Sequence, residues 1–457
     1  MTLPFAMPAS SVFFESARRV FAHYFYPFPL SIDNAPAASD YYNRNYLTVS
    51  GEGGIHAAYG GYLRSRPLPV TPSAAATYQQ TNMQTEVQMA IARGITGFVF
   101  DILSLQDIAT PGVSTGRLIS MIAAAAAVDP RFSIIPMIDM SSLGSSLTPA
   151  QGAAFVQAVA SSPNLYRLWD GRIVVAAYDA TLQPLSLYQQ MISILNAQAI
   201  DVAFWPVLLG APSDGGPLDP ISVGLGAWGT AIPSSAAALA ATVKTAQAAG
   251  LPYLMPILPQ QFRPKNQVFQ EAGNSLAFRN AWMSAINSEA AAVQIVTWSD
   301  FSESGQIQPY TDTTLALNIG TGFYDLNAYY ATWFATGTQP PITQEVLYWF
   351  HRRMANSAAH PNQTDNFTCG GGTETDNIEL LAFLMEPGTL SINGKTLAAP
   401  AGITSFLQPI APGNPAFALE RNGSDVLAFN SPITIYGPAG SPAGVTDLTY
   451  WCGSQAD

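Results

Sequence analysis

The chain has 457 residues, 48% of them hydrophobic and 11% aromatic, with 18 basic against 30 acidic side chains and a formal net charge of -12. Enough apolar surface is available to offset chain entropy, so disorder is excluded, and an acidic chain makes nucleic acid a poor partner. Only three of the cations are Lys, so there is no polybasic strip for a membrane, and the Ala-rich run 121–128, the longest apolar stretch, stops at Asp129-Pro130, well short of the roughly 18 residues that a span requires.

The opening "MTLPFAMPASSVFFESARRVFAHY" lacks a basic n-region and a continuous apolar core, so no signal peptide is visible. Eight apolar runs follow, at 18–26, 94–102, 132–140, 171–180, 201–209, 222–228, 253–260 and 293–301. Most are near-continuous in Val, Ile, Leu, Phe and Tyr, the pattern of strands buried on both faces in a parallel sheet. Between them, Met83, Val87 and Ile91 recur at spacing four before Gly94, and Ala-rich helices fit 115–128, 148–161, 183–198, 232–249 and 274–288. Eight such alternations predict a (β/α)8 TIM barrel. A doubly wound open sheet is the competitor; it usually has fewer strands, and no Gly-rich loop opens the first helix.

The connection from Pro27 to about Tyr78 is too long for an ordinary turn. It carries Asp33, Asp40, Tyr41, Tyr42, Glu52, His56 and Tyr59, either a sugar-binding wall or a structural flap. Beyond the eighth strand, Tyr324 to Met354 reads as helical, with "EVLYWFHRR" amphipathic. From about 365 short runs alternate with Gly, Pro and Asn turns, predicting a small β-sandwich that either binds glycan or braces the barrel. The expected division is a catalytic barrel over 1–360 and an accessory sandwich over 361–457. Cys369 and Cys452 suggest a disulfide and an oxidising compartment, and the expected location is extracellular or periplasmic. Sequons at Asn362, Asn366 and Asn422 would matter only in a eukaryotic secretory host.

Barrel active sites are built at strand C-termini. There the sequence places His23 and Tyr24 (strand one), Asp101 (two), Asp139 (three), Tyr178 and Asp179 (four), Trp205 (five), Trp228 (six), Gln260 and Arg263 (seven), and Trp298, Asp300 and Glu303 (eight). Asp101 and Asp179 could each be a helix N-cap and each Trp a core residue, but acids ending four strands of a charge-poor chain form a concentration. Carboxylates with aromatic platforms, and no metal-ligand set, phosphate loop or GxSxG elbow, are the equipment of glycoside hydrolysis without a cofactor. Asp300 and Glu303 are the sharpest pair. Residues three apart on a loop can hold carboxyl groups near about 5 Å or about 6.5–9.5 Å apart, so their spacing leaves retention and inversion both open.

These stretches resemble glycoside hydrolase family 71, the α-1,3-glucanases or mutanases. "RVFAHYFYPFP" is similar to that family's "VFAHxMxG", "EVQMAIARGITGFVFDI" to its helix leading into "IDxFALN", "FSIIPMIDM" to a third strand ending in Asp, "FWPVLLG" to "FIPDW", and "TWSDFSESGQIQP" to "SWNDYGESHYIGP". The resemblance runs along nearly the whole chain, tail included. It implies catalytic roles for Asp300 and Glu303, a site role for Asp139, and an inverting reaction. Analogy with a related endo-mannosidase motif makes Glu303 the acid and Asp300 the base. The chain departs from the pattern at Val207 (usually Asp), Asp101 (Asn), and Ser299, Phe301 and Ser302 (Asn, Tyr and Gly). The substrate implied is a polysaccharide, most directly an α-1,3-glucan cleaved internally. The alternatives are a retaining glycosidase on another α-linked polysaccharide such as α-mannan, working through neighbouring-group participation, and a non-catalytic carbohydrate-binding barrel. Oligomeric state is left open.

Overall fold

A computed structural model describes residues 3–105, 116–210, 212–315, 319–364 and 366–456. The eight apolar runs form β1 (Arg19–Tyr24), β2 (Gly97–Ile102), β3 (Ser133–Asp139), β4 (Ile173–Tyr178), β5 (Val202–Leu208), β6 (Leu225–Ala227), β7 (Tyr253–Ile257) and β8 (Ala292–Ile295). Each pairs in parallel with the next, and β1 closes the barrel against β8, with Arg19 to Ala22 opposite Ala292 to Ile295. Nearly every strand residue is buried, because one face fills the barrel and the other meets the helices.

The crossover helices are Tyr78–Ile91, Arg117–Val128, Pro149–Val159, Leu185–Asn196, Ser235–Ala248 and Leu276–Ser288. Residue 115, where the second was expected to begin, lies outside the described residues. The third helix starts where its sequence dictates: Thr148 and Gln151 form a reciprocal capping box ahead of Pro149. β6 is short and flanked by Gly224, where a Cβ would lie 2.6 Å from the Trp205 indole. The glycine therefore makes room for the indole, and Trp205, only 4% exposed, packs into the barrel.

The C-terminal region corrects one expectation. Only Gly322–Thr336 of the predicted helical stretch is a helix; Val346–His351, within "EVLYWFHRR", is a strand. It pairs antiparallel with Asn377–Leu384 on one side and Trp451–Ala456 on the other, so six consecutive bulky residues are enclosed by a sheet. With Gly402–Pro409 these strands form one four-stranded sheet, and Lys395–Ala399, Gly388–Ile392, Ala416–Arg421 and Ser424–Asn430 form the second. The sandwich thus draws a central strand from before residue 361.

Buried polar contacts tie it to the barrel. Asn274 donates to the backbone carbonyls of Phe350 and Asn377, both at 2.9 Å, Glu379 accepts from the Ser275 amide, and Arg352 pairs with Glu271 at 2.9 Å. The cysteines correct a second expectation, since both are free thiols. Cys369 belongs to a small sheet beside Phe269, whereas Cys452 lies in the strand opposite Phe350. Among the described residues no helix is long and apolar enough to cross a membrane.

Candidate active site

The stretch that follows β8 folds back on itself. Thr297 and Gly305 bond through N–H to O at 2.7 Å, Ile307 returns to the Thr297 carbonyl at 3.0 Å, and the Gln308 amide reaches the Trp298 carbonyl at 3.1 Å. The loop is also sewn to the end of β1. The Trp298 amide donates to the His23 carbonyl at 2.7 Å, while the Ser299 hydroxyl donates to the Phe25 carbonyl and accepts from the Phe25 amide.

Inside this loop Asp300 organises a tight turn. Its Oδ1 accepts from the Ser302 amide (2.9 Å), the Ser302 hydroxyl (2.6 Å) and the Glu303 amide (3.3 Å). Among the described residues none donates to Oδ2, which leaves that oxygen for another partner. The residue is 6% exposed, and burial raises its pKa against the opposing pull of the Ser302 donors and His23. Glu303 is more open, with 28% of its side chain exposed; its Oε2 accepts from Gln261 at 3.0 Å and pairs with Arg263 at 3.0 Å. Burial and then the negative charge of Asp300 push its carboxyl up to about 7, with Arg263 and Gln261 acting in the opposite direction. The two acids therefore repel each other's ionisation, and the Glu303 carboxyl can hold a proton near neutrality.

Other strand ends converge on the pair. His23 and Asp101 meet at 3.4 Å, both almost completely buried, and burial lifts the Asp101 carboxyl to about 6, with His23 opposing and the charges of Asp139 and Asp300 adding to the rise. The His23 ring stands edge-on to Trp228 at 4.8 Å, and Trp228 to Tyr178 at 4.6 Å. The Tyr178 hydroxyl is driven upward by burial and by the charges of Glu303 and Asp139. Asp139 caps the short helix Met140–Leu143 through the amides of Ser141 and Ser142. Asp179 has left-handed backbone (φ 47°) and makes no such cap, and burial together with Asp139 raises its carboxyl.

Two predicted platforms, one predicted tyrosine and one predicted polar contact are almost completely buried. Trp298 is fully enclosed and its indole N–H donates to Glu86; Trp205 fills the barrel; and Tyr24, 1% exposed, gives its hydroxyl to Glu86. Gln260 is engaged at both ends of its amide by the Tyr450 backbone. Trp298 and Tyr24 meet at Glu86, and Tyr24 also borders a cavity with Tyr26, Tyr46, Asn82 and Arg117.

The long connection after β1 is mostly satisfied internally. Asp40 pairs with Arg66 at 2.5 Å, Asp33 with Arg44, and Tyr41, Glu52, His56 and Tyr59 form one hydrogen-bonded chain. Its contribution toward the acids is Tyr62, stacked on His56 at 4.6 Å; burial, then the charge of Asp300, raises its hydroxyl pKa. Nothing in the sequence marks Tyr62 above its neighbouring tyrosines. Glu86 was also missed, although a signal existed: it lies three residues after Met83 and one before Val87, on the apolar face of its helix. Among the described residues no group of three His, Cys, Asp or Glu is placed to hold a metal ion.

Residues 72–455 match the model for glycosyl hydrolase family 71. The ascus wall endo-1,3-alpha-glucanase of Schizosaccharomyces pombe is 24% identical over 414 residues, covering 79% of this chain and 90% of that protein. The glucan endo-1,3-alpha-glucosidase agn1 of the same yeast is 21% identical over 78% of this chain and 87% of its own. A mutanase of Penicillium rubens is 26% identical over a shorter stretch, 39% of this chain and 44% of that protein. Among solved structures, the GH99 endo-alpha-mannosidase from Bacteroides thetaiotaomicron superposes with a TM-score of 0.52 at 14% identity, covering 70% of this chain and 99% of that one, a likeness of fold alone.

Proposed function

We propose, on the premise that this chain belongs to glycosyl hydrolase family 71, that it cleaves α-1,3-linked glucan within the polymer and inverts the anomeric centre. It is a glycoside hydrolase, and α-glucan is the substrate named for its relatives from Schizosaccharomyces pombe. The observation that carries the residue assignment is the unequal pair on one loop: Glu303, whose carboxyl is pushed up to about 7, hydrogen-bonded through its own amide to buried Asp300.

In this reading Glu303 protonates the glycosidic oxygen while Asp300, through the Oδ2 that its turn leaves unused, removes a proton from the attacking water. The Ser302 donors favour ionised Asp300, and the negative charge so retained keeps Glu303 protonated. Trp228 and Tyr178 would form the wall against the sugar, with His23 and Asp101 buried behind them. Secretion is part of the same proposal, because one relative is named for an ascus wall.

The test is proton NMR of the first-formed reducing end on an α-1,3-glucan, run beside α-1,4-glucan and α-mannan. The reading expects internal cleavage of the α-1,3 polymer with direct release of the β-anomer. The α-anomer would refute inversion, and preference for either of the other polymers would refute the linkage.

A further inference from the structure

We infer that Glu86, on the helix Tyr78–Ile91, is a positioning residue that clips both feet of the loop bearing Asp300 and Glu303 to the barrel wall. This rests on the assignment of those two acids made above. Glu86 is completely buried, and the cavity it borders with Tyr24, Tyr46 and Arg117 contains neither acid of the pair. Its carboxylate collects three donors from two elements: the Tyr24 hydroxyl at 2.9 Å from the end of β1, the Trp298 indole N–H at 3.3 Å, and the Gln308 amide nitrogen at 3.2 Å.

Trp298 precedes Asp300 and Gln308 follows Glu303, and the two are already joined by the Gln308 N–H to the Trp298 carbonyl at 3.1 Å. One carboxylate therefore ties the entry and the exit of the loop to each other, to β1 and to a crossover helix. An ionised carboxylate suits this place because it offers lone pairs on two oxygens, whereas an amide would offer only one acceptor oxygen. Burial drives the Glu86 carboxyl up to about 7, and the three donors are what oppose that drift and favour the ion. The Tyr42 hydroxyl, raised first by its own burial and also by Glu86, and the Arg117 cation beside Tyr24 are the other titratable groups felt at this spot. A buried charge satisfied only by donors on separate elements holds those elements in one arrangement; losing it loosens the loop without touching either acid.

The experiment compares Glu86→Leu and Glu86→Gln with the wild type in the full chain, by hydrogen–deuterium exchange and by kcat and KM on an α-1,3-linked glucan oligosaccharide. In the Leu variant, amides of 296–308 are expected to exchange at least about tenfold faster while those of 377–384 keep their rates, and kcat to fall at least about tenfold with KM within about twofold. Gln keeps one oxygen toward Trp298 and Gln308 and can donate to the Tyr24 hydroxyl, so it should fall between the two. Unchanged loop exchange with unchanged kcat overturns the inference, and so does faster exchange spread evenly over the chain, the mark of a merely global loss of stability. If the Leu variant does not fold, Gln308→Met removes one donor alone and must show the same loop-restricted effect at smaller amplitude. A wild type inactive on α-1,3-glucan would count against the functional reading only, because the exchange measurement decides the role of Glu86 without a substrate.

Discussion

Replacing Arg263 by Gln isolates the cation that sits on the proposed acid. Arg263 and Glu303 are 3.0 Å apart, and 28% of each side chain is exposed. Coulomb's law at that separation gives about 1.4 kcal/mol in a water-like medium, close to one pKa unit, and about fourfold more at an interior effective dielectric near 20. The water-like figure is the better guide, since both groups are open enough for solvent to screen them. The cation favours ionised Glu303, so its removal raises a carboxyl that already stands at about 7. A general acid works protonated, and its ionisation sets the alkaline limb of kcat/KM. Arg263→Gln should therefore move that limb upward by about one pH unit while leaving the acidic limb in place. A profile in which only the acidic limb rises would make Glu303 the base, and a profile with neither limb displaced would remove Glu303 from the proton transfers.

Two further outcomes follow from the same electrostatics and from the thiols. The folded pKa of Glu303 exceeds the 4.5 of a free carboxyl, so the stability contributed by its protonated form is fully present below pH 4.5 and is lost as pH rises through about 7. Glu303→Gln does not titrate and should be the more stable protein at pH 8, by about 1–2 kcal/mol after allowance for partial exposure, with the advantage gone by pH 4.5; equal melting curves at pH 8 would contradict the burial cost assigned here. Because Cys369 and Cys452 are free, a reductant should leave the melting temperature unchanged, and alkylation in denaturant should label two thiols per chain; a reductant-dependent melt would show that they pair after all.

Strand positions were legible because a parallel barrel buries both faces of each strand, so the eight apolar runs stand out and the polar residues that end them fall at the mouth. Asp101, Asp139, Asp300 and Glu303 stand out in the sequence in that way. Direction was not legible. Trp205 and Trp298 sit at the expected strand ends, yet one fills space opened by Gly224 and the other turns back toward Glu86, and neither orientation follows from the position of an indole in a run. Glu86 carries no mark in the sequence beyond its place beside Val87, on the buried face of its helix. The strand Val346–His351 reads as a helix because its charged flanks suggest amphipathicity; six consecutive aliphatic and aromatic residues in so short a run favour a strand once a sheet is available on both sides. The disulfide failed for a different reason, since sequence records that two cysteines exist but not that they belong to different sheets.

The pairing of Asp300 with Glu303 is tested most directly by turnover of an α-1,3-glucan oligosaccharide by Asp300→Asn and Glu303→Gln, each beside the wild type and each checked for a folded chain. Each variant should lose at least about a hundredfold in kcat, the low end for removal of a general acid or base. Hydrolysis at the wild-type rate by both folded variants would contradict the account.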